Sequence, residues 1–333
     1  MKKYLYDISP SAWEHPADRA ALAALKQLSG IDELIRLLVG KTTEKSLRMI
    51  ALASSVRVSG LQFPGVRKKV EEACYVLDVK EVPEVYISQN PLMNAGSVGV
   101  EKPFITINSA LIEQLAEEEL QAVIGHELGH IASGHVLYKT LLWLLMNIST
   151  NLVHIPLGNF ALGAIIAALR EWDRKSELSA DRAGLLVLQD PSPAYTVLMK
   201  LAGGSRIGEM VLEDFFNQAY EYEKGGDILD SVHKLLNMIG QRHPFHVVRL
   251  KELKEWVDSG KYEKILSGEY RKRGDREEDI QEEFRQAADQ YREDFDKSGD
   301  PLASALSKIG KQIDAVTREA GKQAEEFFKG LFG

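Results

Sequence analysis

The 333-residue sequence predicts an α+β fold dominated by helix. Three observations carry this: apolar residues recur at helical spacing over most of the chain, three short extended runs gather between residues 84 and 108, and no convincing strand follows Ser109. With 44% hydrophobic and 27% charged residues, the chain can bury one sizeable core or two smaller ones, which excludes general disorder.

Between Pro16 and Val39 the leucines at Leu22, Leu25, Leu28, Leu34, Leu37 and Leu38 keep helical spacing, with Gly30 and Gly40 as stops. Further helices are predicted over Glu44–Val58 and Pro64–Leu77. The runs Glu84–Ser88, Ser97–Val100 and Phe104–Asn108 make a small sheet. Ser109–Ser133 reads as one helix, with Glu113, Glu117, Glu118 and Glu119 in its first half, where acids suit the helix dipole.

Forty-nine acidic against 41 basic residues give a net charge of −8, so a surface that coats nucleic acid is not expected. Cys74 is the single cysteine, which excludes an internal disulfide framework and a thiolate metal cluster. Any metal must therefore be held by histidine and carboxylate. In the first 25 residues Asp7, Pro10, Glu14 and Asp18 interrupt any apolar run, so no secretory signal is read and a cytoplasmic location is expected.

Thirty residues between Lys139 and Arg170 carry no Asp, Glu, Lys or Arg. His154 and Pro156 split them into apolar pieces shorter than the ~20 residues of a spanning helix. A buried helical hairpin is the expectation, with a peripheral membrane contact through 140–169 as the alternative. Residues 269–333 form a charged tail with apolar stripes at Ile280, Phe284 and Tyr291, then at Leu302, Leu306, Ile309 and Ile313. These are amphipathic helices that pack on the body, or that meet a membrane surface or partner through 302–331.

The chemistry centres on HELGH at 126–130. On a helix His126 and His130 lie ~40° apart around the axis, so both imidazoles can converge on one ion. Zinc held by two neutral imidazoles and a carboxylate keeps an open position for water, and Glu127 is placed to take that water's proton. Such a motif arises by chance in on the order of one in a hundred chains of this length. Leu120, Ala122, Val123 and Ile124 place it on a helix with an apolar back face, where the polar pair would otherwise be unexplained.

His135 is a poor third ligand. On a continuing helix it lies ~140° around from His130, so a surface or packing role is expected. Glu171 and Asp173, among Arg170, Arg174 and Lys175, read as solvated ion pairs. Glu177 and Asp181 share a helix face with Ala180, Ala183 and Gly184, whose small size lets another backbone approach. Glu177 as third ligand, with Asp181 accepting from a ligand imidazole, is the favoured arrangement; an intrahelical network with Lys175 and Arg182 is the plainer one.

Four segments in order, NPLMNAGSVG, EEELQAVIGHELGHIASGH, SELSADRAG and HPFHVVRL, make the chain resemble the HtpX-like zinc metallopeptidases. These are gluzincins, and the family includes the CAAX prenyl endopeptidases. The resemblance covers roughly residues 60 to 260. It implies a gluzincin core with a small sheet and an active-site helix, one zinc ion per chain on His126, His130 and Glu177, Glu127 as general base and Asp181 in support. It also implies that His243 or Arg249 approaches the zinc to stabilise an oxyanion, with a helix-end and nearby-acid role as the plainer alternative. His246 is an unassigned neighbour. Asn94 and Ala95 resemble the family's edge strand beside the zinc, where an extended substrate pairs by main-chain hydrogen bonds. Gly96 stands where many relatives carry a bulky residue.

HtpX-like members typically carry spanning helices before the zinc motif, whereas residues 1–60 here are amphipathic and charged. The division expected is 1–60 as a helical region, 61–268 as the metallopeptidase domain and 269–333 as the tail. The expected function is endopeptidase action on misfolded or unassembled protein. The alternative is a zinc-stabilised peptide-binding or chaperone-like module with weak or latent activity.

Overall fold

In the computed structural model, which describes residues 2–26, 31–39, 41–148, 159–224 and 245–275, the chain is mostly helical around one small sheet. Helix α1 (Pro16–Lys26) has proline at its first position and Asp18 in its first turn, both suited to a helix start. Helices α2 (Ile31–Leu38) and α3 (Lys41–Ser54) follow. The latter stops short of the predicted Val58 because Val56 and Arg57 form a strand, β1 (Val56–Arg57). Helix α4 (Pro64–Val76) ends one residue before its predicted limit.

The sheet comprises β1, β2 (Val85–Ser88), β3 (Ala95–Val98) and β4 (Phe104–Asn108), in spatial order β1-β2-β4-β3. The β1/β2 and β3/β4 pairs are antiparallel and β2/β4 is parallel. Register places Ala95 opposite Ile107 and Ser97 opposite Ile105, so β3 is an edge strand among the described residues. Alternation along the strands sends Val85, Ile87, Ile105 and Ile107 into the main core and Tyr86 and Phe104 to the other face.

The run predicted as one helix over Ser109–Ser133 is two, α5 (Ser109–Gln114) and α6 (Glu117–Ala132). Leu115 and Ala116 are extended, and Glu119 Oε2 accepts from the Ala116 N–H at 2.6 Å. The glutamate read as a dipole partner thus also caps a second helix start. Beyond lie α7 (Val136–Ile148), α8 (Asn159–Leu188), α9 (Pro191–Gly203), α10 (Leu212–Lys224), α11 (His246–Asp258) and α12 (Lys261–Ser267).

The main core joins the sheet to α4, α6, the C-terminal part of α8, α9 and α11, and it also takes in Leu5, Ile8 and Trp13. A second core joins Leu25, Ile31 and Leu34 to Leu141, Leu145, Ile165, Leu169 and Trp172. The described parts of the uncharged stretch therefore turn most of their apolar side chains inward, as a buried hairpin requires, while Trp143 and Met146 face outward. Among the described residues no helix is long and apolar enough to cross a membrane. Residues 149–158, and the tail stripes from Ile280 onward, lie outside the described residues.

Candidate metal centre

The centre is made by two helices in unusually close contact. A Cβ added at Gly129 of α6 would meet Ala183 Cβ at 2.5 Å, and one at Gly125 would meet Val187 Cβ at 2.8 Å. One added at Gly184 of α8 would meet the Ala122 carbonyl oxygen at 2.8 Å. Small residues at matching heights on both helices therefore let the backbones approach, as expected for the α8 face, and bring Glu177 and Asp181 against HELGH.

His126, His130 and Glu177 converge there, with ligand atoms all within 4.8 Å of one another. Glu177 Oε2 lies 3.4 Å from His126 Nε2, and Oε1 lies 3.2 Å from His130 Nε2. His130 Nε2 is buried without a hydrogen bond of acceptable geometry, an orientation that suits a cation. Burial pushes the His126 imidazole down, but the Asp181 and Glu177 carboxylates beside it outweigh this and raise it to about 9. Positive charge is thus favoured at that position. Burial and the Lys139 ammonium hold His130 well below its ordinary value, which keeps it neutral as a ligand must be.

Each member is held from behind. His126 Nδ1 lies 2.9 Å from Asp181 Oδ1, fixing the ring with Nε2 toward Glu177. Arg249 Nε and Nη2 donate to the two Asp181 oxygens at 2.8 and 2.6 Å, and Nη1 lies 3.3 Å from Glu177 Oε2. Burial would push the Asp181 carboxyl up; the Arg249 guanidinium and His126 hold it below the ordinary carboxylate range. This fits the plainer reading of Arg249, a side chain satisfying a nearby acid. Lys139 Nζ donates to Asp173 Oδ1 and Glu177 Oε1, both at 2.7 Å. Asp173 is therefore buried and paired across helices, not solvated as its neighbours suggested; Glu171 does pair with Arg174. Around the site the carboxyl groups of Glu127, Asp173, Glu177 and Asp181 face two cations, Lys139 and Arg249.

Three supports escaped the sequence reading. Ser97 of β3 donates from Oγ to Glu127 Oε2 at 2.7 Å. Lys139 bounds an apolar stretch, so its burial and need for carboxylates could have been inferred. His135 is 1% exposed and lies against His130, because α6 does not continue. Gly134 has φ 69°, and the N–H groups of Gly134 and His135 bond back to the carbonyls of Ile131 and His130. That is a Schellman turn, signalled by Gly134, and it folds His135 under His130.

A cavity of about 140 Å³ opens over the centre. Its walls include Asn94 and Ala95 together with His126, Glu127, Glu177, Asp181, His246 and Arg249. Leu111, Val123, Leu185, Val197, Leu198 and Leu253 form an apolar side. His243 lies outside the described residues.

A family model described as Peptidase family M48 matches residues 61–257. The chain is 34% identical over 279 residues to the plastoglobule-localized metallopeptidase 48, chloroplastic, of Arabidopsis thaliana, a match spanning 80% of this chain and 78% of that protein. It is 25% identical over 170 residues to the protease HtpX homolog 2 of Methanosarcina mazei, spanning 44% of this chain and 58% of that protein. With the protease HtpX homolog of Helicobacter pylori it shares 33% identity over 121 residues, 36% of each chain. No solved structure matches the chain. A peptidase of this kind uses a metal cofactor and takes protein or peptide substrates. The HELGH helix, the carboxylate helix packed on it and the matched span agree: this chain belongs to peptidase family M48, as an HtpX-like metallopeptidase.

Proposed function

We propose that this metallopeptidase is a zinc-dependent endopeptidase acting on misfolded or unassembled protein, with one zinc ion per chain on His126, His130 and Glu177. The observation that carries the reading is the convergence of those three buried groups beside Glu127, beneath an open cleft. Two imidazole nitrogens and a carboxylate suit zinc and leave a fourth position open.

When bound, zinc supplies Lewis acidity to a water and to the scissile carbonyl. Glu127 takes the proton of the attacking water and delivers it to the leaving nitrogen. Ser97 holds Glu127 in place for both transfers. Asp181, gripped by Arg249, keeps Nε2 of His126 available to the metal. Arg249 therefore acts through Asp181, while stabilisation of the oxyanion falls to His243, on the strength of the family resemblance. Asn94 and Ala95 lie at the edge strand along which an extended chain would pair.

The apolar side of the cleft supports the substrate class. Leu111, Val123, Val197 and Leu198 suit side chains that a folded protein keeps inside and a misfolded or unassembled one exposes. We place the catalytic domain at 61–268, flanked by the helical region 1–60 and the tail 269–333. Its site of action is cytoplasmic, with a peripheral membrane contact through 140–169 or 302–331; the exposure of Trp143 and Met146 supports the first of these.

The test compares wild type with Glu127→Gln, both zinc-loaded, on casein as an unfolded substrate. Cleavage by wild type and none by the variant is expected. Cleavage that survives the substitution removes Glu127 as the base, and absence of cleavage by either, despite bound zinc, favours the peptide-binding module.

A further inference from the structure

His130 is held by a chain of contacts that ends outside the span the family model matches. Its Nδ1 lies 3.0 Å from Nδ1 of His135, and His135 Nε2 lies 3.1 Å from Oδ2 of Asp18 on α1. All three side chains are 1% exposed. Asp18 also accepts from Ser179 Oγ at 2.5 Å on Oδ2 and from Trp172 Nε1 at 3.0 Å on Oδ1.

Two facing imidazole nitrogens can bond only when one carries a proton and the other a lone pair. His130 turns Nε2 to the proposed metal position without a hydrogen bond there, so as a ligand it needs its lone pair on Nε2 and its proton on Nδ1. His135 must then accept at Nδ1 and hold its own proton on Nε2, against Asp18, whose carboxylate can only accept. Nε2 of His130 is left bare, on the side of Glu177.

We propose that Asp18, acting through His135, fixes the tautomer and ring orientation of His130, so that helix α1 supplies a positioning residue to the zinc centre. The inference rests on the ligand set proposed above. It gives the two histidines separate supports: His126 leans directly on Asp181, whereas His130 leans on a carboxylate one imidazole further away.

Asp18→Asn tests it with little change of shape. Trp172 Nε1–H can only donate, so the amide oxygen stays opposite it and the NH₂ group faces His135 and Ser179. Ser179 can rotate to accept. His135 can accept only by moving its proton to Nδ1, where it meets the Nδ1–H of His130. His135→Phe fills the space between His130 and Trp172 but offers no acceptor.

The measurements are the zinc dissociation constant by competition with a chromophoric chelator, the visible spectrum of the cobalt-loaded protein, and thermal melting of the metal-free protein. Each single variant is expected to bind zinc about 10- to 100-fold more weakly, with an altered cobalt spectrum and a metal-free melting temperature within a few degrees of wild type. Because Asp18 acts through His135, the double variant is expected to bind no more weakly than His135→Phe alone. Unchanged zinc affinity and cobalt spectrum in the single variants, or losses that add in the double variant, overturn the proposal. If metal-free Asp18→Asn does not fold, His135→Gln decides: its carbonyl can accept from His130, so it is expected to bind zinc more tightly than His135→Phe, and equal losses overturn the relay. A wild type that binds no zinc removes the ligand set and the relay together, whereas zinc-binding wild type with unaffected variants removes the relay alone.

Discussion

Ser97 Oγ lies 2.7 Å from Glu127 Oε2 and 3.0 Å from the main-chain oxygen of the same residue. An edge-strand residue thus grips the side chain that follows the first histidine of the centre. Ser97→Ala is expected to lower kcat about tenfold, with KM within about twofold and zinc content unchanged, because only the orientation of the base is lost. Steady-state kinetics on a fluorogenic peptide and metal analysis check it; a change confined to KM would place Ser97 on the substrate instead.

Arg249 clamps Asp181 with two parallel hydrogen bonds in a buried site. Arg249→Met leaves that buried carboxylate with His126 as its remaining partner, and a loss of about 3 kcal/mol, the low end for breaking a buried pair, is expected in denaturant unfolding of the metal-free protein. Arg249→Lys keeps the charge but not the fork, so less than half of the loss is expected back. Zinc affinity should fall in both variants.

Close helix contact makes its own prediction at Gly129. A methyl group there would lie 2.5 Å from Ala183 Cβ, so Gly129→Ala is expected to cost about 1–3 kcal/mol and to weaken zinc binding by parting α6 from α8. Adding Ala183→Gly makes room. The double variant should regain most of the zinc affinity even though the second change alone costs about 1 kcal/mol in helix stability. Failure of the double variant to recover would mean that the contact does not set the ligand geometry.

Glu44 of α3 holds the turn that leaves β3, accepting from the N–H groups of Val100 and Glu101 at 2.8 Å and of Lys102 at 3.2 Å. Burial pushes its carboxyl up, but these donors and Arg48 hold it below its ordinary value of 4.5. The unfolded chain therefore binds the proton more readily than the folded one. The stabilisation is complete above pH 4.5 and drains away as pH falls through the lower folded value. Glu44→Gln is expected to cost about 1–2 kcal/mol at neutral pH, and the gap to wild type should narrow below pH 4.5. Urea unfolding of both proteins from pH 7 downward checks it, and a gap independent of pH would show that the ionised form is not what holds the turn.

How much of this was legible depended on sequence distance. His126 and His130 sit one helical turn apart, and Glu177 and Asp181 share a face with small neighbours, so local periodicity was enough to bring them forward. The break at Leu115 and Ala116 was hidden because Glu119 serves both as a dipole partner and as a cap. β1 was missed because a strand of two residues has no period to detect. Asp18 could not be seen at all, since its partners Trp172 and Ser179 lie 154 and 161 residues away. His135 was legible in principle, but its angle was measured on a helix that Gly134 ends. Arg249 came forward only through family likeness, and its grip on Asp181 depends on packing between α11 and α8.

The brevity of β3 sets a balance between capture and self-association. An edge open to one extended chain is open to any, including an exposed strand of another copy. With four residues, of which alternate ones face outward, β3 offers about two pairing positions beside the centre. On the proposed pairing of substrate along β3, such an edge would align a peptide for one cut and release the pieces, and it would offer a second copy of the chain no more than the same two positions.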